Sequence, residues 1–117
     1  MNDLWQDSHQ EWIEKYSDLV PLVWAQVQKD FAMEALELKP VEVATLDQIY
    51  AVIYPEVVKH IQYDFNAIMR ILYRIDISEN KVKKQMDLMP DDTAVAISTL
   101  IVKREIQKVV LRKQYSS

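Results

Sequence analysis

The sequence predicts an all-α fold, a single-domain bundle of five or six helices. Apolar side chains recur every three or four residues along most of the chain, which is the period of a helix and not of a strand. The 117 residues include no glycine, and the tight two-residue turns of β-hairpins depend on glycine. A chain of this length ordinarily forms one domain with one hydrophobic core.

The first forty residues contain two helical patterns. Residues 2–17 form an amphipathic pattern with Trp5 and Trp12 on one side. Because tryptophan is costly to leave in water, we expect this segment to be a docking arm that packs on the domain or on a partner. A second pattern starts near Leu19 and is expected to end before Pro40, since a residue that precedes proline avoids the α region. A short extended connector should follow.

The stretch from Pro55 to Ile77 is predicted to be the central helix of the bundle. Its apolar positions form one continuous arc about half the circumference wide, which is typical of a helix with more than one neighbour. A capping-box pattern at Thr45 and Gln48 predicts the start of the preceding helix. That helix either runs through Pro55 with a kink or ends near Tyr54, and we favour the break. The arc consists of Val57, Ile61, Phe65, Ile68, Leu72 and Ile75.

The chain is predicted to finish with a short helix capped by Ser78 and a long helix over about residues 91–114. Asp91 and Asp92 stand at the start of the long helix and cations stand near its end, as the helix dipole favours. The long helix has two apolar faces, so we predict that one joins the core and the other binds a second copy of the chain as a homodimer. The alternative is a helix buried all round. The predicted interface is Val95, Val102, Ile106 and Val109.

The net charge of −4 hides an asymmetry between the two halves. Residues 1–58 carry 11 acidic and 3 basic side chains, whereas residues 59–117 carry 7 acidic and 11 basic ones. We expect the halves to attract each other within one folded domain, where opposite charges lie within about a Debye length. Attraction between two copies, or a basic surface that binds an anion, are the alternatives.

Two polar clusters lie on or beside the predicted central helix. Glu56, His60 and Asp64 recur every four residues, and carboxylate and imidazole groups in one row could bind a divalent metal ion. The alternative is a surface row of local hydrogen bonds.

Beside this row, two arginines one turn apart could bind a phosphate or carboxylate through paired hydrogen bonds, or else pair with acids of the first half. The candidate anion site is Tyr63, Arg70 and Arg74.

A basic stripe on the last helix is a candidate nucleic-acid contact. Arg104, Lys108 and Arg112 recur every four residues, a spacing that could follow phosphates. The acidic isoelectric point of about 5.1 argues against such a function. The alternative is a set of cations favoured at a helix C-terminus.

Several functional classes are excluded or disfavoured by composition. Without glycine there is no P-loop, dinucleotide-binding turn or nucleophile elbow. Without cysteine there is no thiolate nucleophile or Cys-ligated metal, and a cytoplasmic location is the natural expectation. From the sequence we expect neither a secretory signal nor a membrane span. We therefore predict a binding or assembly protein with no cofactor, rather than an enzyme.

Overall fold

The computed structural model describes residue 11 and residues 14–115, and the regular structure in this part of the chain is entirely helical. A 3₁₀ turn, Ser17–Leu19, leads into the bundle. The described α-helices are α1 (Val20–Met33), α2 (Leu46–Tyr63), α3 (Phe65–Arg74), α4 (Glu79–Leu88) and α5 (Thr93–Tyr115). The predicted all-α bundle and its long C-terminal helix are confirmed. The predicted helix over residues 2–17 lies mainly outside the described residues.

The centre of the bundle is α5, and not the segment that the sequence suggested. Helices α1, α2 and α4 all pack against α5, and every residue from 96 to 103 is buried. A helix with two apolar faces needs neighbours on both sides, and here the chain supplies them itself. The alternative of a last helix buried all round is therefore the one that the structure adopts over these turns.

Helix α2 continues through Pro55 and ends at Tyr63, so the predicted break at Pro55 and the helix over 55–77 are wrong. Proline removes the hydrogen bond to the carbonyl of Ala51. Both residues lie on the exposed side of α2, where water can satisfy that carbonyl. The chain breaks instead at Asp64, whose backbone leaves the helical region (φ −157°, ψ 75°) and whose side chain accepts a hydrogen bond from Ala67 N (3.3 Å).

Other helix starts follow the sequence signals. Thr45 Oγ1 accepts a hydrogen bond from Gln48 N (3.1 Å), and Ser78 Oγ accepts one from Lys81 N (3.3 Å). Each bond satisfies an amide that would otherwise lack a partner in the first helical turn. The predicted caps of α2 and α4 are confirmed.

Helix α1 ends earlier than the sequence suggested, at Met33 and not just before Pro40. The chain turns at Ala35, whose φ of 57° lies in the left-handed region, and Leu36 N donates back to Phe31 O (2.9 Å). Residues 36–44 then form the expected connector without regular structure. No helix in the described part of the chain is both long and apolar enough to cross a membrane.

Candidate functional site

The predicted homodimer interface lies mostly inside the chain. Val102 and Ile106 are completely buried, and Val109 is 4% exposed. Val95 is half-buried. The prediction that this face of α5 is left for a partner is therefore wrong for Val102 and Ile106, because other parts of the same chain cover them. Val109 alone reaches the lining of a surface groove.

The candidate metal ligands are used in local contacts. His60 Nδ1 lies 2.7 Å from the carbonyl oxygen of Glu56, and a carbonyl can only accept, so Nδ1 carries the proton. The nearer carboxylate oxygen of Glu56 is 3.9 Å from the same nitrogen. Asp64 caps α3. Among the described residues no group of three His, Cys, Asp or Glu side chains is arranged to hold a metal ion, so the row of local hydrogen bonds is the better interpretation.

The candidate anion site is occupied by an acid of the first half. Arg74 Nε donates a hydrogen bond to Glu34 Oε2, and Arg70 Nε lies 3.8 Å from Glu34 Oε1. Tyr63, by contrast, is 77% exposed and does not join this contact. The two arginines of α3 thus hold the C-terminal end of α1, as the charge asymmetry suggested.

The basic stripe on α5 is also engaged within the chain. Arg104 Nε donates to the carbonyl of Ile75 (2.7 Å) and its Nη1 to Gln107 Oε1 (2.7 Å). Lys108 and Arg112 turn toward α1. Of the three cations only Arg112 is exposed, so they do not present a row to phosphates, and the structure gives no support to the nucleic-acid interpretation.

The structure brings together a polar cluster that the sequence analysis did not identify. Asp30 on α1 and Glu105 on α5 are 4% and 0% exposed. Lys108 Nζ donates to Asp30 Oδ2 (2.9 Å) and lies 3.7 Å from Glu105 Oε1. Gln26 Nε2 also donates to Asp30 Oδ2 (2.9 Å), and Arg112 Nη2 donates to Gln26 Oε1 (2.7 Å). We call these five residues the α1–α5 polar cluster.

The two carboxyl groups of the cluster have opposite electrostatic properties. Burial would raise the pKa of Asp30, but hydrogen bonds with Glu105, Lys108 and Gln26 outweigh it, and the pKa lies below its usual value. Burial raises the pKa of Glu105 to about 9; the adjacent Asp30 also raises it, while Lys108 and Arg104 act to lower it. At neutral pH Asp30 is therefore ionised and Glu105 is protonated.

The geometry around Glu105 agrees with this assignment. Neither carboxyl oxygen of Glu105 accepts a hydrogen bond from the described residues. An ionised carboxylate that is buried and accepts no hydrogen bond would have a large unfavourable desolvation free energy. A protonated carboxyl can instead act as a donor toward the Asp30 carboxylate. Of the two acids, Glu105 is thus the one that carries a proton, and Lys108 lies near both carboxyl groups.

A groove opens beside this cluster, between α1 and the last turns of α5. Its volume is about 340 Å³. Leu22, Ala25 and Val109 supply apolar surface, and Leu22 is 50% exposed. The rest of the lining is one amide and three cations, Gln26, Lys29, Arg112 and Lys113. We call this the α1–α5 groove. Its chemistry fits a ligand with both apolar surface and negative charge.

A sequence signal for the cluster exists. Gln26 and Asp30 interrupt the apolar face formed by Val23, Val27 and Phe31, and Glu105 stands directly beside Ile106. A polar side chain on a buried face usually needs a buried partner. The sequence could therefore indicate that partners exist, although it could not show that Asp30 and Glu105 face each other.

Comparison of the chain with models of protein families, with curated proteins and with solved structures found no match.

Proposed function

We propose that this protein is a protein-interaction module that forms a homodimer, and that its contact surface is the α1–α5 groove. In this proposal the groove of one copy receives the acidic, tryptophan-bearing N-terminal segment of a second copy. The single observation that carries the proposal is the chemistry of the groove, whose lining combines apolar side chains with three cations.

The cations that line the groove are available to a partner. Lys29 and Lys113 are exposed, and neither forms an ion pair with another described residue. The guanidinium of Arg112 donates one hydrogen bond to Gln26, and its side chain is exposed. Complementary charge at the rim of an apolar contact fixes orientation and speeds association.

The N-terminal segment has the complementary chemistry. Its first fourteen residues include four acids and no lysine or arginine. They also include Trp5 and Trp12, and tryptophan is enriched among the residues that dominate binding energy at interfaces. An amphipathic helix that lays its apolar face into a groove is a common mode of recognition.

The distribution of reactive groups also favours binding over catalysis. The carboxyl group with the largest change in pKa, Glu105, is completely enclosed. A general acid or base must come within hydrogen-bond distance of its substrate. The lining of the groove offers cations, an amide and hydrocarbon, which suit recognition.

The test is a charge swap read by light scattering on a sizing column over a tenfold concentration range. Wild-type protein should have twice the 13.8 kDa mass of one chain, and the dimer should weaken as salt rises, because salt screens exposed charges. The double variants Lys29→Glu/Lys113→Glu and Asp7→Lys/Glu11→Lys should each be monomeric alone. Mixed in equal amounts, they should form a heterodimer.

A matched control makes the same charge change elsewhere. Lys83→Glu/Lys84→Glu alters two exposed lysines of α4 and should leave the dimer unchanged. A monomeric wild-type protein at every concentration would overturn the proposal. A dimer that survives all the charge reversals would show that the contact surface is not this groove.

A further inference from the structure

A continuous chain of polar contacts connects the α1–α5 groove with the buried carboxyl pair. Arg112 lines the groove and donates to Gln26 Oε1 (2.7 Å), and Gln26 Nε2 donates to Asp30 Oδ2 (2.9 Å). Asp30 in turn contacts Lys108 (2.9 Å), which lies 3.7 Å from Glu105. A change at the buried end therefore has a physical path to the groove wall.

The same pair also holds together the two helices that form the groove. Asp30 belongs to α1 and Glu105 to α5, and the groove lies between these helices. While one acid is protonated, the two side chains can share a hydrogen bond. When both are ionised, two buried negative charges face each other with Lys108 as the cation that contacts both, and the repulsion acts directly between α1 and α5.

We propose that the groove is a proton-linked binding site, in which occupancy by an anionic segment is coupled to the proton held between Asp30 and Glu105. Loss of this proton pushes α1 away from α5, draws Asp30 and Gln26 into a new arrangement, and changes the position of Arg112. Because the anionic segment is that of a second copy of the chain, this inference rests on the proposed dimer.

The charged groups that act on Glu105 are few. From α1 it faces Asp30, and from its own helix it faces Lys108 and Arg104. Arg104 is fixed by the carbonyl of Ile75 and lies 3.8 Å from Asp76. The proton is thus governed by the two acids, by Lys108 and by the charge of Arg104, and a single substitution at Glu105 can remove it from the system.

The direction of the coupling follows from charge. An anionic segment in the groove adds negative charge near the pair, which favours the protonated state. By reciprocity, the protonated state favours the anionic segment. Dimerisation should therefore weaken as pH rises past about 9, the pKa of Glu105, by roughly tenfold in Kd as is typical of coupled sites.

The experiment measures the dimer Kd of the full chain by sedimentation, for the wild type and for Glu105→Gln. The pH is varied between about 6.5 and 10, a range that spans the ionisation of a carboxyl group with a raised pKa. Glutamine has nearly the same shape as a protonated glutamate and cannot ionise. We expect Kd to rise at alkaline pH in the wild type, with most of that rise absent in Glu105→Gln. The control is Glu34→Gln, which makes the same chemical change in the ion pair of Glu34 with Arg70 and Arg74. Its dimer Kd should depend on pH as that of the wild type does.

A second readout does not need the dimer. The side-chain amide of Gln26 and the Nε–H of Arg112 can be followed by ¹⁵N NMR over the same pH range. Their signals should titrate together with Glu105 in the wild type and stay constant in Glu105→Gln. Signals that do not move, or that move equally in both proteins, would overturn the inference.

The two readouts separate this inference from the proposed function. A protein that is monomeric at every pH, but whose Gln26 and Arg112 signals follow Glu105, would refute the dimer and leave a proton-linked groove. A dimer whose Kd is equally insensitive to pH in both proteins would leave the proposed function standing and refute the coupling.

Discussion

Two acids of the first half, Asp30 within α1 and Glu34 just after it, form ion pairs of very different character. Asp30 is buried and contacts Lys108 and Gln26 beside a protonated Glu105. Glu34 lies at the end of the helix, where Arg70 and Arg74 of α3 approach it from water, with side chains 47% and 29% exposed. Both pairs join the acidic first half of the chain to its basic second half, but the Asp30 side chain is 5% exposed and the Glu34 side chain 16% exposed, so the carboxylate of the first pair is the more deeply buried.

Burial, more than pairing, therefore decides what each ion pair does in this protein. Exposed pairs contribute about 0–1 kcal/mol, since water and salt compete for the charges. Breaking a buried pair costs several kcal/mol, because the remaining charge has lost its partner and cannot reach water. The cluster around Asp30 is therefore sensitive to both substitution and pH, and the pair at Glu34 should be sensitive chiefly to salt.

The largest expected effect is that of Asp30→Ala. It leaves Lys108 and Gln26 without their acceptor and opens a small cavity between α1 and α5. We expect the free energy of unfolding to fall by about 3–5 kcal/mol, measured by urea denaturation at neutral pH. The double variant Asp30→Ala/Lys108→Met should recover part of this loss, because no charge is then left unpaired. A loss below about 1 kcal/mol for the single variant would place Asp30 with the exposed pairs.

The next effect concerns pH. Between 4.5 and about 9, the unfolded and folded pKa of Glu105, the folded state binds one more proton than the unfolded state. The contribution of Glu105 to stability is therefore complete below pH 4.5 and is lost as pH rises, by up to about 1.4 kcal/mol per unit. Glu105→Gln should flatten this dependence and be more stable than the wild type at mildly alkaline pH. Parallel stability curves for the two proteins would show that Glu105 is not protonated in the fold.

Asp30 has the opposite dependence, which offers an independent check at acid pH. Its pKa is lowered from 3.8, so its contribution to stability is present above that pH and is lost as pH falls through the folded pKa. Stability of Glu105→Gln should therefore still decrease below about pH 4. Thermal unfolding across the acid range measures this decrease, and its absence would mean that Asp30 is not ionised in the fold.

The smallest effect is expected at the exposed pair. Arg74→Ala removes the main partner of Glu34 and should lower the free energy of unfolding by less than about 1 kcal/mol at low salt. In high salt the difference should shrink further, because the charges are screened. Urea denaturation at two salt concentrations measures it. A loss as large as that of Asp30→Ala would show that exposure does not separate the two pairs.

Local signals accounted for much of the fold. The periodicity of apolar residues predicted helices, and Thr45 and Ser78 marked two starts. The second apolar face of the last helix was assigned to a partner, although the chain itself covers Val102 and Ile106. Asp64 was misassigned because aspartate serves both as a helix N-cap and as a metal ligand, and the sequence alone does not distinguish the two roles. Pro55 was misassigned because only packing shows whether the carbonyl left unbonded faces water or the core.

The helical class, the long last helix, two helix starts, and the attraction between an acidic and a basic half thus follow from local sequence. The packing of the helices determines which helix is central, which side chains of α5 remain accessible, and that Asp30 lies next to Glu105. Asp30 and Glu105 stand 75 residues apart in the printed sequence, and no local pattern joins them. Their contact, and the proton it holds, depend on the packing of α1 against α5, because desolvation and charge proximity exist only once the helices have come together.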